Sequence, residues 1–164
     1  MSDERNFFYL SRFWLNTVQA ISWCPWQQNL LATGGGSYDR MINFWNTNTG
    51  AKLANIDTGS QVTSIIWSQQ YKELTSTHGF PYYQVSVWHY PSLKKLADLE
   101  GHEARVLHST VSPDGTTVAT GASDESLRFW KVWEERVKTK KPNEKEGIGA
   151  LDELTSSYSR MSIR

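Results

Sequence analysis

Three short runs of the chain alternate polar and apolar side chains and end on tryptophan: Met41-Ile42-Asn43-Phe44-Trp45, Gln84-Val85-Ser86-Val87-Trp88 and Ser126-Leu127-Arg128-Phe129-Trp130. A period of two is the signature of a strand with one face toward a core. The three Trp are 43 and 42 residues apart. A second set of runs precedes them, at Leu31-Ala32-Thr33-Gly34, Leu74-Thr75-Ser76-Thr77 and Val118-Ala119-Thr120-Gly121. A third set starts at Val18, Val62 and Val106, each 44 residues from the next. One period shared by independent landmarks marks a repeat. Turn-forming residues separate the runs, as in Asn46-Thr47-Asn48-Thr49-Gly50, Tyr90-Pro91-Ser92 and Ser112-Pro113-Asp114-Gly115. Four short strands per unit of about 44 residues predict an all-β chain of β-propeller blades. A β-sandwich needs no fixed period. The units are expected at 17–60, 61–104 and 105–133, the last only partly closed. A divergent segment, 1–16, precedes them.

Residues 134–164 lose the alternation, hold few large apolar side chains and carry the basic cluster Lys138-Thr139-Lys140-Lys141. This segment is expected to be a flexible tail. The cluster reads as a solvated linker or as a nuclear signal.

Composition narrows the function. Lys and Arg total 17, Asp and Glu total 17, and the net charge is zero, which argues against a nucleic-acid binder driven by bulk charge. No run of 18 apolar residues predicts a transmembrane helix, and the first residues show no small-residue cleavage pattern. Cys24 is the only cysteine, so a disulfide scaffold and a multi-cysteine zinc site are excluded within this chain. This fits a soluble protein of a reducing compartment. No cofactor is expected.

The repeat also frames the residues that resemble chemistry. In WD-type blades an Asp stands six residues before the Trp, and Asp39 and Asp124 stand six before Trp45 and Trp130. With Gly101-His102 ahead of the third unit, His102, Thr120, Asp124 and Trp130 are expected to form one buried hydrogen-bonded chain. The carboxylate accepts from the imidazole, and the indole N–H needs an acceptor. The middle unit has Tyr82 where the Asp would be, so that tetrad is not expected there. A Thr-His-Asp set also suggests a hydrolase, but these residues recur at structural repeat positions. His78, His89 and His108 stand alone, without metal-ligand spacing. Gly34-Gly35-Gly36 lacks the Lys-Ser/Thr of a phosphate loop and reads as a strand-end turn.

Taken together, the motifs resemble the Fizzy family, the WD-repeat activators of the anaphase-promoting complex. The residues are Ile21-Ser22-Trp23-Cys24-Pro25-Trp26, Asn29-Leu30-Leu31-Ala32-Thr33-Gly34-Gly35-Gly36, Ser60-Gln61-Val62, Tyr71-Lys72-Glu73-Leu74, His78-Gly79-Phe80, Val87-Trp88-His89-Tyr90-Pro91, Arg105-Val106-Leu107 and Asp124-Glu125-Ser126-Leu127-Arg128-Phe129-Trp130. Residues 71–80 favour the Fizzy branch over the Fizzy-related branch. The resemblance implies about three blades of a seven-bladed WD-repeat ring and a non-enzymatic substrate adaptor of the cytoplasm and nucleus. It implies a site for the Lys-Glu-Asn (KEN-type) degron at Ser37, Gln61 and Arg105, and Glu125 in the groove for the D-box degron. It implies docking of the terminal Ile163 and Arg164 to a TPR-repeat subunit of the ligase, with degron-bearing substrates and checkpoint proteins as further partners. Independently of the family, Gln61 and Arg105 are 44 residues apart and each directly precedes the first strand of its unit. Residues 1–16 do not resemble the family's preceding blade. Three blades leave two open sheet edges, so the chain reads as a fragment or as a piece that assembles with itself or another propeller. The alternative reading is a general WD-repeat scaffold without degron recognition.

Overall fold

Each repeat builds the strands its alternation predicts. The computed structural model describes residues 17–133, together with the backbone of residues 159–163. The first unit forms β1 (Val18–Trp23), β2 (Leu30–Gly35), β3 (Met41–Asn46) and β4 (Ala51–Asp57). The second forms β5 (Val62–Trp67), β6 (Glu73–His78), β7 (Val85–His89) and β8 (Lys94–Leu99). The third forms β9 (Val106–Val111), β10 (Thr117–Ala122) and β11 (Leu127–Lys131). Each unit is an antiparallel meander, and β1, β5 and β9 contact one another in turn, so three blades fan out from a shared inner edge.

The third blade has a fourth strand that its own unit does not supply. Within the segment read as a flexible tail, β12 (Ser159–Ile163) pairs antiparallel with β11, Ile163 opposite Leu127 and Ser159 opposite Lys131. Without it, β11 presents a row of unpaired backbone donors and acceptors, and a paired edge satisfies them. The rest of 134–164, and 1–16, lie outside the described residues.

The blades pack through two apolar layers. Between the first and second, Ile42 and Phe44 of β3 meet Val62, Ile65 and Trp67 of β5. Trp67 lies edge-on to Trp26, Phe44 and Tyr90, at 5.5, 5.9 and 5.6 Å between ring centres. Between the second and third, Val85 and Val87 of β7 meet Val118, Trp130 and Trp133. The middle blade is covered on both faces, and every residue of β6 is buried. The outer blades each have one uncovered flank, where Ile21 and Trp23 are 68% and 61% exposed and Leu107 and Leu127 are 46% and 47% exposed.

Gly34-Gly35-Gly36 differs from the expected strand-end turn. Gly34 and Gly35 belong to β2, and only Gly36 leads into the turn. A Cβ on Gly34 would lie 2.4 Å from Val62 Cγ1. The glycine therefore lets the first blade approach the second.

Hydrogen-bonded chains tie each Trp to its blade. In the third blade Asp124 Oδ2 lies 3.0 Å from His102 Nδ1. His102 Nε2 lies 2.7 Å from Thr120 Oγ1, which also accepts the Trp130 indole N–H at 2.7 Å. Burial pushes the Asp124 carboxyl up, but hydrogen bonds from Ser126, the Glu103 N–H and His102 overcome it and hold the group well below the usual carboxylate range. In the first blade Trp45 donates to Thr33 Oγ1 at 2.8 Å. The middle blade lacks the tetrad Asp, yet Trp88 still donates to Ser76 Oγ at 2.7 Å, and Ser76 bonds His78 Nε2 at 2.8 Å. His78 comes from β6 itself, two residues after the serine, and takes the place a loop histidine holds in the third blade.

Thr120→Val keeps the shape but leaves the Trp130 N–H and a His102 nitrogen buried without their shared partner. It is expected to lower stability by about 1–3 kcal/mol, read as a lower urea midpoint with an unchanged slope.

Candidate functional site

The connections β2–β3, β4–β5, β6–β7, β8–β9 and β10–β11 all open at the same end of the sheets, as the meander requires. Gln61 closes the β4–β5 connection. Its N–H donates to Phe80 O at 3.1 Å, its carbonyl accepts from the Gly79 N–H at 2.9 Å, and Ser60 Oγ donates to Gly79 O at 2.8 Å. These bonds lock the β4–β5 connection to the β6–β7 loop. Arg105 closes the β8–β9 connection, and its carbonyl accepts from the Ser123 N–H at 2.9 Å, which fixes it to the β10–β11 turn.

The two side chains converge. Gln61 Nε2 donates to Gln19 Oε1 at 2.6 Å, and an Arg105 Nη donates to the same oxygen at 3.0 Å. Gln61 is 5% exposed. A Cβ on Gly79 would lie 2.3 Å from Gln61 Oε1 and 3.3 Å from Arg105 Cγ, so the missing side chain is what lets the pair meet. Ser37 is exposed in the β2–β3 loop. It follows Gly36, where a Cβ would lie 3.8 Å from Gln19 Nε2. Residues of all three blades thus surround one small polar area, rich in amide and guanidinium donors. Such donors suit the backbone and the amide or carboxylate side chains of an extended peptide.

Glu125 is exposed in the β10–β11 turn with a φ of 61°, directly after the tetrad's Asp124. The structure thereby separates the two neighbouring acids: Asp124 turns inward to His102, and Glu125 stays on the rim. The backbone of Ile163 is the last residue of β12, and Arg164 lies outside the described residues.

The Thr-His-Asp set offers no nucleophile. Thr120 has no exposed surface, and its hydroxyl holds the Trp130 indole. Among the described residues no group of three or more His, Cys, Asp or Glu is placed to hold a metal. No helix among them is long and apolar enough to cross a membrane.

Sequence reasoning missed two features of this end of the sheets. Gln19, the shared acceptor, lies one residue inside β1 and carries no motif. Tyr38, Phe80 and Tyr82 are exposed large rings in the β2–β3 and β6–β7 loops. An aromatic at a loop tip is the signal that could have found them, because a solvated turn has no packing use for a large ring.

Comparison with known proteins agrees with this architecture. The WD domain, G-beta repeat, matches residues 93–131. The Arabidopsis thaliana protein "Cell division cycle 20.1, cofactor of APC complex" is 58% identical over 72% of this chain and 26% of its own length. The Schizosaccharomyces pombe "WD repeat-containing protein slp1" is 56% identical over 71% of this chain and 24% of its own length. A chain in the crystal structure of a mitotic checkpoint complex superposes with a TM-score of 0.70 at 55% identity, over 71% of this chain and 36% of that one. The chain spans about a quarter of the length of the curated relatives it matches. Three WD-type blades, the tetrad and these identities together place the chain in the Fizzy family.

Proposed function

We propose that this chain carries part of the peptide receptor of an activator of the anaphase-promoting complex and works as a non-catalytic adaptor. The observation that carries the reading is the meeting of Gln61 and Arg105. They come from neighbouring blades at one repeat spacing, and both donate to a single acceptor at the loop end of the sheets. Ser37, Gln61 and Arg105 receive a Lys-Glu-Asn degron, the guanidinium pairing with its glutamate. Glu125 supplies the acidic side of a groove for the arginine of a D-box degron. Ile163 and Arg164 dock to a TPR subunit of the ligase. Relatives described as cofactors of the APC complex, and a neighbour from a mitotic checkpoint complex, support ligase and checkpoint proteins as partners; we place its action in cytoplasm and nucleus as part of the same proposal.

Arg105→Ala removes charge-assisted bonds, each contributing about 1.5–3 kcal/mol, so binding of a Lys-Glu-Asn peptide to the whole chain should weaken roughly tenfold to a hundredfold. Isothermal titration of wild type and variant measures this. Equal affinities would remove the site and favour a general scaffold.

A further inference from the structure

Equivalent positions of the repeat differ sharply in exposure. On β5, Val62, Ile65 and Trp67 pack against the first blade and are at most 6% exposed. The residues 44 positions earlier are Val18, Ile21 and Trp23 of β1, each at least 53% exposed. Trp88 and Trp130 are buried in their blades, whereas the matching Trp45 is only partly so. The outer flank of the first blade thus presents the side chains that meet a neighbour elsewhere in the fold. No described residue covers them. Apolar surface gathered on one face in this way is driven out of water and marks an interaction surface.

The segment directly before β1 has the composition to cover it. Between Phe7 and Leu15, seven of nine residues are large and apolar, in the runs Phe7-Phe8-Tyr9-Leu10 and Phe13-Trp14-Leu15. Such a segment has a large apolar area to bury, unlike the polar, charge-rich chains that stay in water. Only Asn16 and Thr17 separate it from β1. Thr17 stands at the loop end of the sheets, where a Cβ on Gly36 would lie 2.5 Å from its Oγ1. The segment therefore joins the blade beside Val18, at one end of the exposed row. Nine extended residues reach about 30 Å. From Val18 to Trp23 β1 spans about 17 Å, so the segment is long enough to run the whole flank. A two-residue link holds it at an effective concentration on the order of millimolar, far above that of a second copy in dilute solution.

We propose that residues 7–15 occupy this flank, turning back at Asn16-Thr17 to cover Val18, Ile21 and Trp23 in place of a neighbouring blade. Asn is a turn former. Stacked repeats need a cap on an end unit to stay soluble, and here the cap is a segment of different sequence from the repeat. The contact is made within one chain and leaves this flank closed to association. The proposal is independent of the peptide-receptor reading.

The test places the photocrosslinker benzoylphenylalanine at Ile21 of the whole chain, an exposed position that accepts a large aromatic side chain. After irradiation, the adducts are mapped by mass spectrometry. The expected result is adducts to residues 7–15 of the same chain, in a yield that does not change on dilution. Adding Phe13→Asp and Trp14→Asp should lower that yield by about tenfold or more, because two large apolar contacts are lost. The occupant is identified in the chain without these two changes, so the assignment does not depend on whether the double variant folds. Adducts to the third blade of another chain, falling on dilution, would make a second copy the occupant and overturn the proposal. An absence of adducts would leave the flank in water and overturn it equally. A double variant that unfolds cooperatively in urea yet keeps the original adduct yield would also overturn it.

Discussion

Removing Ile163 and Arg164 is expected to weaken capture of the ligase by roughly a hundredfold or more. A buried aliphatic anchor contributes about 1.5–3 kcal/mol, and a charge-assisted hydrogen bond about the same. Deleting both residues also moves the terminal carboxylate to Ser162. The fold adds a second expectation. β12 is paired with β11 along its whole length, so docking in an extended form outside the blade exchanges those backbone bonds for bonds to the ligase. A free peptide of residues 150–164 carries no such competing pairing and should bind more tightly than the same residues within the whole chain. Pull-down of the ligase with the peptide, the peptide lacking its last two residues and the whole chain separates these effects. Equal capture by the two peptides would contradict the docking assignment. Equal capture by peptide and whole chain would contradict the competition with β11.

Acid should destabilise the middle blade through His78. This side chain has no exposed surface, and burial pushes its pKa down from the ordinary 6.5 to about 4, with Asp98 opposing the shift and Lys95 adding to it. Below pH 6.5 the unfolded chain takes up a proton that the native chain refuses, so stability falls as pH falls and the loss is complete near pH 4. A shift of this size corresponds to about 3 kcal/mol, a large share of the stability of a small domain. Asp124, whose pKa is lowered, loses its contribution only below the ordinary carboxylate range, so the two windows separate. Urea unfolding at pH 7 and pH 4.5 should show the loss in wild type. His78→Asn should start less stable at pH 7, because the bond with Ser76 is altered, but show a much flatter pH dependence. An unchanged slope in the variant would place the titration elsewhere.

The repeat period made most of the fold legible. A blade reuses one alternating pattern, so Val18, Val62 and Val106 open β1, β5 and β9 at the spacing they have in sequence. The third blade's hydrogen-bonded chain was legible too, because His102, Asp124 and Trp130 have fixed offsets from the strands. The middle blade was not. A missing Asp removes one acceptor but leaves the Trp88 N–H to be satisfied; Ser76 accepts it and is itself bonded to His78, from a position no loop motif marks. β12 escaped for a different reason. Its residues lack turn signals, and what pairs them is the open edge of a distant strand rather than a local preference. At the candidate site, Gln61 and Arg105 were implied by the family resemblance and supported by their 44-residue spacing, whereas Gln19 had neither signal. Its bulge, where the pairing of β1 with β2 shifts between Val18 and Ala20, depends on strand register, which alternation alone does not reveal.

The central claim is that the loop end of these blades is a peptide receptor centred on Gln61 and Arg105. Nuclear magnetic resonance of the ¹⁵N-labelled whole chain, titrated with a Lys-Glu-Asn peptide, tests it most directly. The expected result is a set of shifts in the Gln19 and Gln61 side-chain amides, the Arg105 guanidinium and the backbone of residues 36–40 and 79–84. Shifts confined to the exposed flanks at Ile21, Trp23 and Leu127, or none at saturating peptide, would contradict it.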